Sequence, residues 1–333
     1  MLTLIILILG ASFILYTLLG GADFGAGIVE TFIGKKEELT ISKAMAPVWE
    51  ANHVWLILAV VILFTGFPSV YSSLSLVLHI PLTMVLIGIV MRGTAFTFRY
   101  YDVDAGRFRK YYTFLFHVSS FLTPIFLGMI LGAMVLGRIT FDRSAGFYQV
   151  FIAPWFNLFC LFLGFFSASL FTYLAAVFLA AETDNELNRA RYCSFSKKAM
   201  LVCLSLAVLI FIVANSEGYD LAAKFFGSTI SRTILLIVII LCVAVWYLLK
   251  KGKPNALYLR IAAAAQISGI LIGWFYAEFP VLVEVKKGES LTLYNTQAPE
   301  ATLHQLFVAL LIGLLLVIPG FAYLFRIFKT KSS

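Results

Sequence analysis

Charge is scarce in this 333-residue sequence, where Asp, Glu, Lys and Arg make up 13% of the chain, against about 25% in an ordinary soluble domain. So thin a polar supply cannot cover a water-facing surface when 61% of the residues are hydrophobic and the mean hydropathy is +0.96. Water is excluded as the main solvent, and disorder falls with it. Cysteine is sparse too. Cys160, Cys193, Cys203 and Cys242 stand far apart with no CxxC pair, so neither a disulfide framework nor a zinc site is indicated. The sequence also lacks a Walker A loop, HExxH, GxSxG and CxxCH, and with them any self-sufficient catalytic nucleus.

What is present is a series of long apolar runs. A bilayer-spanning helix needs about 20 mostly apolar residues, and nine stretches qualify: 2–22, 49–68, 73–97, 112–136, 151–180, 199–215, 232–249, 256–278 and 302–325. The reading is an all-α integral membrane protein with nine transmembrane helices. No basic n-region precedes the first run, which is therefore expected to be a retained helix and not a cleaved signal. The loops at 23–48 and 279–301 are too short to fold alone, and the second reads as an irregular cover.

Orientation follows from the basic residues. With the N-terminus outside, seventeen of the 25 Lys and Arg fall in inside loops and the tail, six fall outside, and Arg92 and Arg260 lie within spans. That places the C-terminus in the cytoplasm. It also accounts for the net charge of +8 without nucleic acid, which is not an expected partner.

Ionisable groups within spans cost about 2.5–3.5 kcal/mol each on insertion scales, so each needs a reason. Glu50, Asn52 and His53 open span two between Trp49 and Trp55, with Glu50 and His53 on one helical face. Asp23 closes span one in a glycine-rich segment, Arg92 lies late in span three and His117 early in span four. Four spans thus bring polar groups to a similar inner depth, an arrangement suited to a proton relay. The bland alternative is that they cap helix ends, Asp23 in a glycine-rich turn and Arg92 snorkelling to the headgroups. His79, His304 and Glu278 lie towards the outer side and read as packing residues, and Arg260 as an inner-end anchor. From the residues alone, a secondary transporter or a purely structural partner remains an alternative.

Several segments resemble a known family. Ala22-Asp23-Phe24-Gly25-Ala26-Gly27, Ala46-Pro47-Val48-Trp49-Glu50-Ala51-Asn52-His53-Val54-Trp55, Phe64-Thr65-Gly66-Phe67-Pro68 and Arg92-Gly93-Thr94-Ala95-Phe96-Thr97-Phe98-Arg99 look like subunit II of the cytochrome bd quinol oxidases. Phe279-Pro280, Leu291-Thr292-Leu293-Tyr294-Asn295 and the basic tail agree more loosely.

The resemblance implies a heterodimeric complex in a bacterial or archaeal cell membrane that reduces dioxygen with electrons from quinol, taking its protons from the cytoplasm. Haem b and haem d are expected in the partner, subunit I, and no haem or metal ligand in this chain. A small accessory subunit and a bound quinone are further possible partners, besides lipid. The implied architecture is two four-helix bundles plus one extra helix: 1–136 with the polar cluster, 151–278, and 302–328. Glu50 falls on the family's acid in its W-[D/E] motif, placed in a proton pathway, with Asp23 and Arg92 on further motif positions. Gly20, Glu50-Ala51-Asn52 and Thr97 depart from the residues that many members carry. The proton pathway is therefore expected to comprise Glu50, Asp23, His53, Asn52, Arg92 and His117.

Overall fold

The computed structural model describes the backbone of residues 1–34, 38–101, 108–142, 144–183, 185–250 and 255–331, with the side chains of these except 38–51, 100, 101, 322 and 324–331. Twelve helices occur among the described residues: α1 (Leu2–Ile33), α2 (Glu38–Gly66), α3 (Pro68–Val77), α4 (His79–Tyr101), α5 (Arg109–Val135), α6 (Phe147–Phe151), α7 (Leu158–Glu182), α8 (Glu186–Ser216), α9 (Leu221–Gly227), α10 (Thr229–Lys250), α11 (Ala256–Glu278) and α12 (Glu300–Lys331). Eight are long and apolar enough to cross a bilayer. The bent pair Asn52–Gly66 and Pro68–Val77, which meets at 113°, makes a ninth candidate.

Several boundaries differ from the hydropathy reading, among them the starts of α2 and α8, at Glu38 and Glu186 and not at 49 and 199. Helix α1 does not stop near residue 22. It runs unbroken through Gly20-Gly21-Ala22-Asp23 and ends at Gly34, whose φ of 99° is one that glycine adopts readily. Asp23 is therefore a mid-helix residue and caps nothing. Pro68, at the first turn of α3, starts a separate helix there, so the third span begins at His79 and not at 73. The fifth begins at Leu158, where the Asn157 side chain accepts from the Cys160 N–H as N-cap.

Helix α7 is the axis of the packing, in contact with α1, α5, α8 and α11, while α1 also touches α2 and α5, and α12 packs on α2. Small residues allow the close crossings, since helices in lipid associate through van der Waals fit. A Cβ on Gly25 of α1 would land on the backbone carbonyl of Phe171 in α7, and one on Gly164 of α7 would lie 2.7 Å from the Ile125 carbonyl oxygen of α5. Large apolar side chains on α10 and α12, among them Ile240, Val243, Leu315 and Leu316, face outward.

The 279–301 segment is more regular than an irregular cover. Strands β1 (Val281–Val283) and β2 (Leu291–Thr292) pair antiparallel. The Glu284 N–H donates to the Met134 carbonyl, that of Lys286 to Ile139 and that of Ala298 to Gly66. The segment is thereby fastened across the ends of α2 and α5 by backbone hydrogen bonds that its alternating apolar residues could not announce.

Gly25→Ala should lower the thermal midpoint of the purified protein, at a cost of roughly 1–3 kcal/mol for overpacking. Gly313→Ala, with nothing within 4 Å of its added Cβ, should leave the midpoint unchanged or raise it slightly, since Ala favours a helix interior over Gly.

Candidate functional site

The polar residues buried in α1, α2, α4 and α5 meet around the second half of α1. Arg92 of α4 reaches Asp23 of α1 by a forked pair: Nη2 lies 2.6 Å from Oδ1 and Nε 3.0 Å from Oδ2. Their side chains are 2% and 1% exposed. Nη2 also donates to the Asp23 carbonyl, and Nη1 to the Ser120 hydroxyl of α5. Phe24 and Phe116 stack on the guanidinium at 5.0 and 4.4 Å. Asn52 of α2 donates Nδ2 to Asp23 Oδ2 at 3.2 Å. Gly27 makes the space, since a Cβ there would strike Ser120 Oγ and lie 2.8 Å from Arg92 Nη1. Arg92 thus turns inward and does not snorkel.

One heptad further along both helices the pattern repeats. Arg99 Nη2 donates to Glu30 Oε1 at 2.9 Å, and His117 Nε2 lies 3.1 Å from the same oxygen. Both pairs join residues 69 apart, so α1 and α4 run parallel with one register. Phe116 lies between the pairs, with each guanidinium 4.4 Å from its ring. Glu30 Oε2 and Asn52 Oδ1 are buried with no hydrogen-bond partner among the described residues.

Of the six expected pathway residues, the structure brings Asp23, Asn52 and Arg92 into one contact set, with half-buried His53 beside them on α2, and puts His117 in the second pair. Glu50 falls in α2, with its side chain outside the described residues. Glu30 and Arg99 escaped the sequence reading because Glu30 stood beyond the expected end of span one. The signal that could have found them is the seven-residue spacing, Asp23 to Glu30 against Arg92 to Arg99.

Towards the Met1 end of the helices a second polar group forms. Buried Glu278 accepts from the Tyr219 hydroxyl and from Lys224 Nζ at 2.7 Å. Burial, then the Glu278 charge, pushes the Tyr219 phenol well above its ordinary value. His79 and His304 are exposed, the His79 ring nitrogen contacting the Leu76 carbonyl. Arg260 pairs with Glu182. No group of three His, Cys, Asp or Glu is placed to hold a metal ion among the described residues.

Fold and site together define a polytopic helical membrane protein with ion pairs buried between parallel spans. The family model described as cytochrome bd terminal oxidase subunit II matches residues 1–328. The chain belongs to that family. It is 25% identical over 326 residues to the cytochrome bd ubiquinol oxidase subunit 2 of Bacillus subtilis (strain 168), covering 96% of this chain and 94% of that protein. It is 26% identical over 220 residues to the cytochrome bd-I ubiquinol oxidase subunit 2 of Escherichia coli (strain K12), covering 64% of this chain and 57% of that one. The solved bd oxidase from Geobacillus thermodenitrificans shares the fold, with a TM-score of 0.78 at 23% identity over 98% of each chain. A secondary transporter is not favoured.

Two predictions come from this geometry. Arg92→Leu or Asp23→Leu alone strands a buried charge and should destabilise by roughly 3–5 kcal/mol, whereas the double replacement should cost less than either; thermal unfolding of the four proteins measures this. For Tyr219, a phenol whose folded pKa is raised contributes stability below its unfolded value near 10 and loses it as pH rises further. The stability advantage of wild type over Tyr219→Phe should therefore narrow above about pH 10.

Proposed function

We propose that this chain is the haem-free subunit of a quinol oxidase, packing against a haem-bearing subunit I and conducting cytoplasmic protons to the site of oxygen reduction, so contributing to the proton-motive force. Haem b and haem d in that partner would supply electron transfer from quinol and the reduction of dioxygen. The chain alone is not catalytic. Its spans form two four-helix units, α1, α2, α4 and α5 in one and α7, α8, α10 and α11 in the other, with α12 as the extra helix. The N-terminus lies outside and the C-terminus in the cytoplasm of a prokaryotic cell.

The observation that carries the proton reading is the buried line of polar and titratable groups across four helices, from half-exposed His117 through Glu30, with Asp23, Arg92 and Asn52 one heptad away. A buried acceptor calls for a donor, and Glu30 Oε2 and Asn52 Oδ1 offer places for water between the fixed charges. Glu50, two residues before Asn52 on α2, extends the line towards the cytoplasm, and His53 stands beside Asn52. Arg92 holds the Asp23 carboxylate in place, while Glu30 and His117 exchange protons. The names of two relatives, a ubiquinol oxidase subunit and a putative menaquinol oxidase subunit, support quinol as the substrate class of the complex.

The test uses the assembled oxidase. Glu50→Gln and Glu30→Gln should each slow quinol-driven oxygen uptake by tenfold or more, the low end of what a lost proton-transfer group costs being about 100-fold when that step limits. The reduced-minus-oxidised haem spectrum should stay unchanged and the pH–rate profile should shift. Wild-type turnover and pH profile in either variant would remove that residue from the route.

A further inference from the structure

Arg191, Ser194 and Lys198 lie three and four residues apart on α8, so they share one helical stripe. With Phe195 and with Ile33 at the end of α1 they line a cavity of about 420 Å³. No carboxylate lines it, and neither Arg191 nor Lys198 forms an ion pair or hydrogen bond among the described residues. The stripe ends where the apolar run at 199–215 begins, which sets it at the boundary between lipid and water. The exposed Phe32 ring stands beside it, 5.9 Å from Phe195 and 6.1 Å from Phe121. Beyond Phe121 opens a second cavity, of about 360 Å³, lined by Phe114, Val118, Phe121 and Leu122 with Thr31 and His117.

A basic pocket that adjoins an apolar groove across one aromatic ring has the two chemistries of a phospholipid. We propose that an anionic phospholipid binds here. Its phosphate lies on Arg191 and Lys198 with the Ser194 hydroxyl donating, and an acyl chain passes Phe32 into the apolar groove. The guanidinium fork matches phosphate oxygens, and basic pockets between spanning helices suit anionic headgroups. A free inorganic anion would use the first cavity and leave the second without a role, which is why the lipid is the occupant.

Native mass spectrometry of the delipidated, assembled complex tests this, with phosphatidylglycerol and phosphatidylcholine of identical acyl chains as probes. Phosphatidylglycerol should bind the unmodified protein more tightly. The affinity gap should fall about fivefold when one cation is removed and roughly 30-fold in R191Q/K198Q, as expected for charges near a headgroup. R191K/K198R should keep most of it. Equal binding of the two lipids by the unmodified protein would overturn the proposal whether or not the variants assemble. So would undiminished phosphatidylglycerol binding in R191Q/K198Q, or displacement of the lipid by inorganic phosphate, which marks a plain anion site.

Discussion

The fork between Arg92 and Asp23 is the constraint around which the helices are arranged. A guanidinium withdrawn from water into apolar helices is tolerable only when charge and hydrogen bonds replace the solvent. Here those replacements come from three other helices. The carboxylate is on α1, the hydroxyl of Ser120 and the ring of Phe116 are on α5, and the amide of Asn52 on α2 steadies the carboxylate. Gly27 must lack a side chain for the fork to fit, and Gly25, two residues earlier, lets the same helix press on the backbone of α7. The position of α1 is thus set by an electrostatic demand on one side and a steric one on the other.

The two ion pairs are alike in register and unlike in completeness. Both Asp23 oxygens are engaged, and its pair is closed from solvent. Glu30 shares one oxygen between Arg99 and His117 while its other oxygen has no partner among the described residues, and the His117 side chain is 21% exposed. A fully satisfied network rigidifies its surroundings, whereas a partly satisfied one leaves protons and water a place to rearrange. In the proposed route the first pair therefore supplies a fixed field and the second the exchangeable sites. Asp23 and Glu30 stand seven residues apart on α1, so one stripe of that helix supplies the carboxylate of both pairs.

Hydropathy made the number of candidate spans legible, because burial in lipid is decided by composition over some twenty residues. It misplaced ends wherever a local residue had a tertiary purpose. The glycines from Gly20 to Gly27 read as punctuation, yet they serve close packing inside an unbroken helix. Asp23 then looked like a cap, and Glu30, seven residues on, like a loop residue. Arg92 carried its own signal, since a cation late in an apolar span requires a partner, but which acid it met depended on the register of α1 against α4. The hairpin in 279–301 was hidden for a different reason, the segment being fastened to backbone carbonyls of Met134, Ile139 and Gly66 that no sequence pattern displays. The motifs around Asp23, Glu50 and Arg92 marked the family because they are unusual in apolar helices, and the family match runs over nearly the whole chain.

The net charge of +8 separates into two populations. Arg92 and Arg99, in the helical interior, have the carboxylates of Asp23 and Glu30, and the more exposed Arg260, Arg138 and Lys224 pair with Glu182, Glu217 and Glu278. Arg191 and Lys198, where α8 enters its apolar stretch, have no carboxylate lining their cavity. The low dielectric of the interior makes an unmatched charge costly there, while water and headgroups at the boundary make it cheap. Positive charge left over after the interior is neutralised therefore collects at the membrane surface. In the proposed lipid site it acts on what lies outside the protein, the lipid headgroups, and not on the packing of the helices.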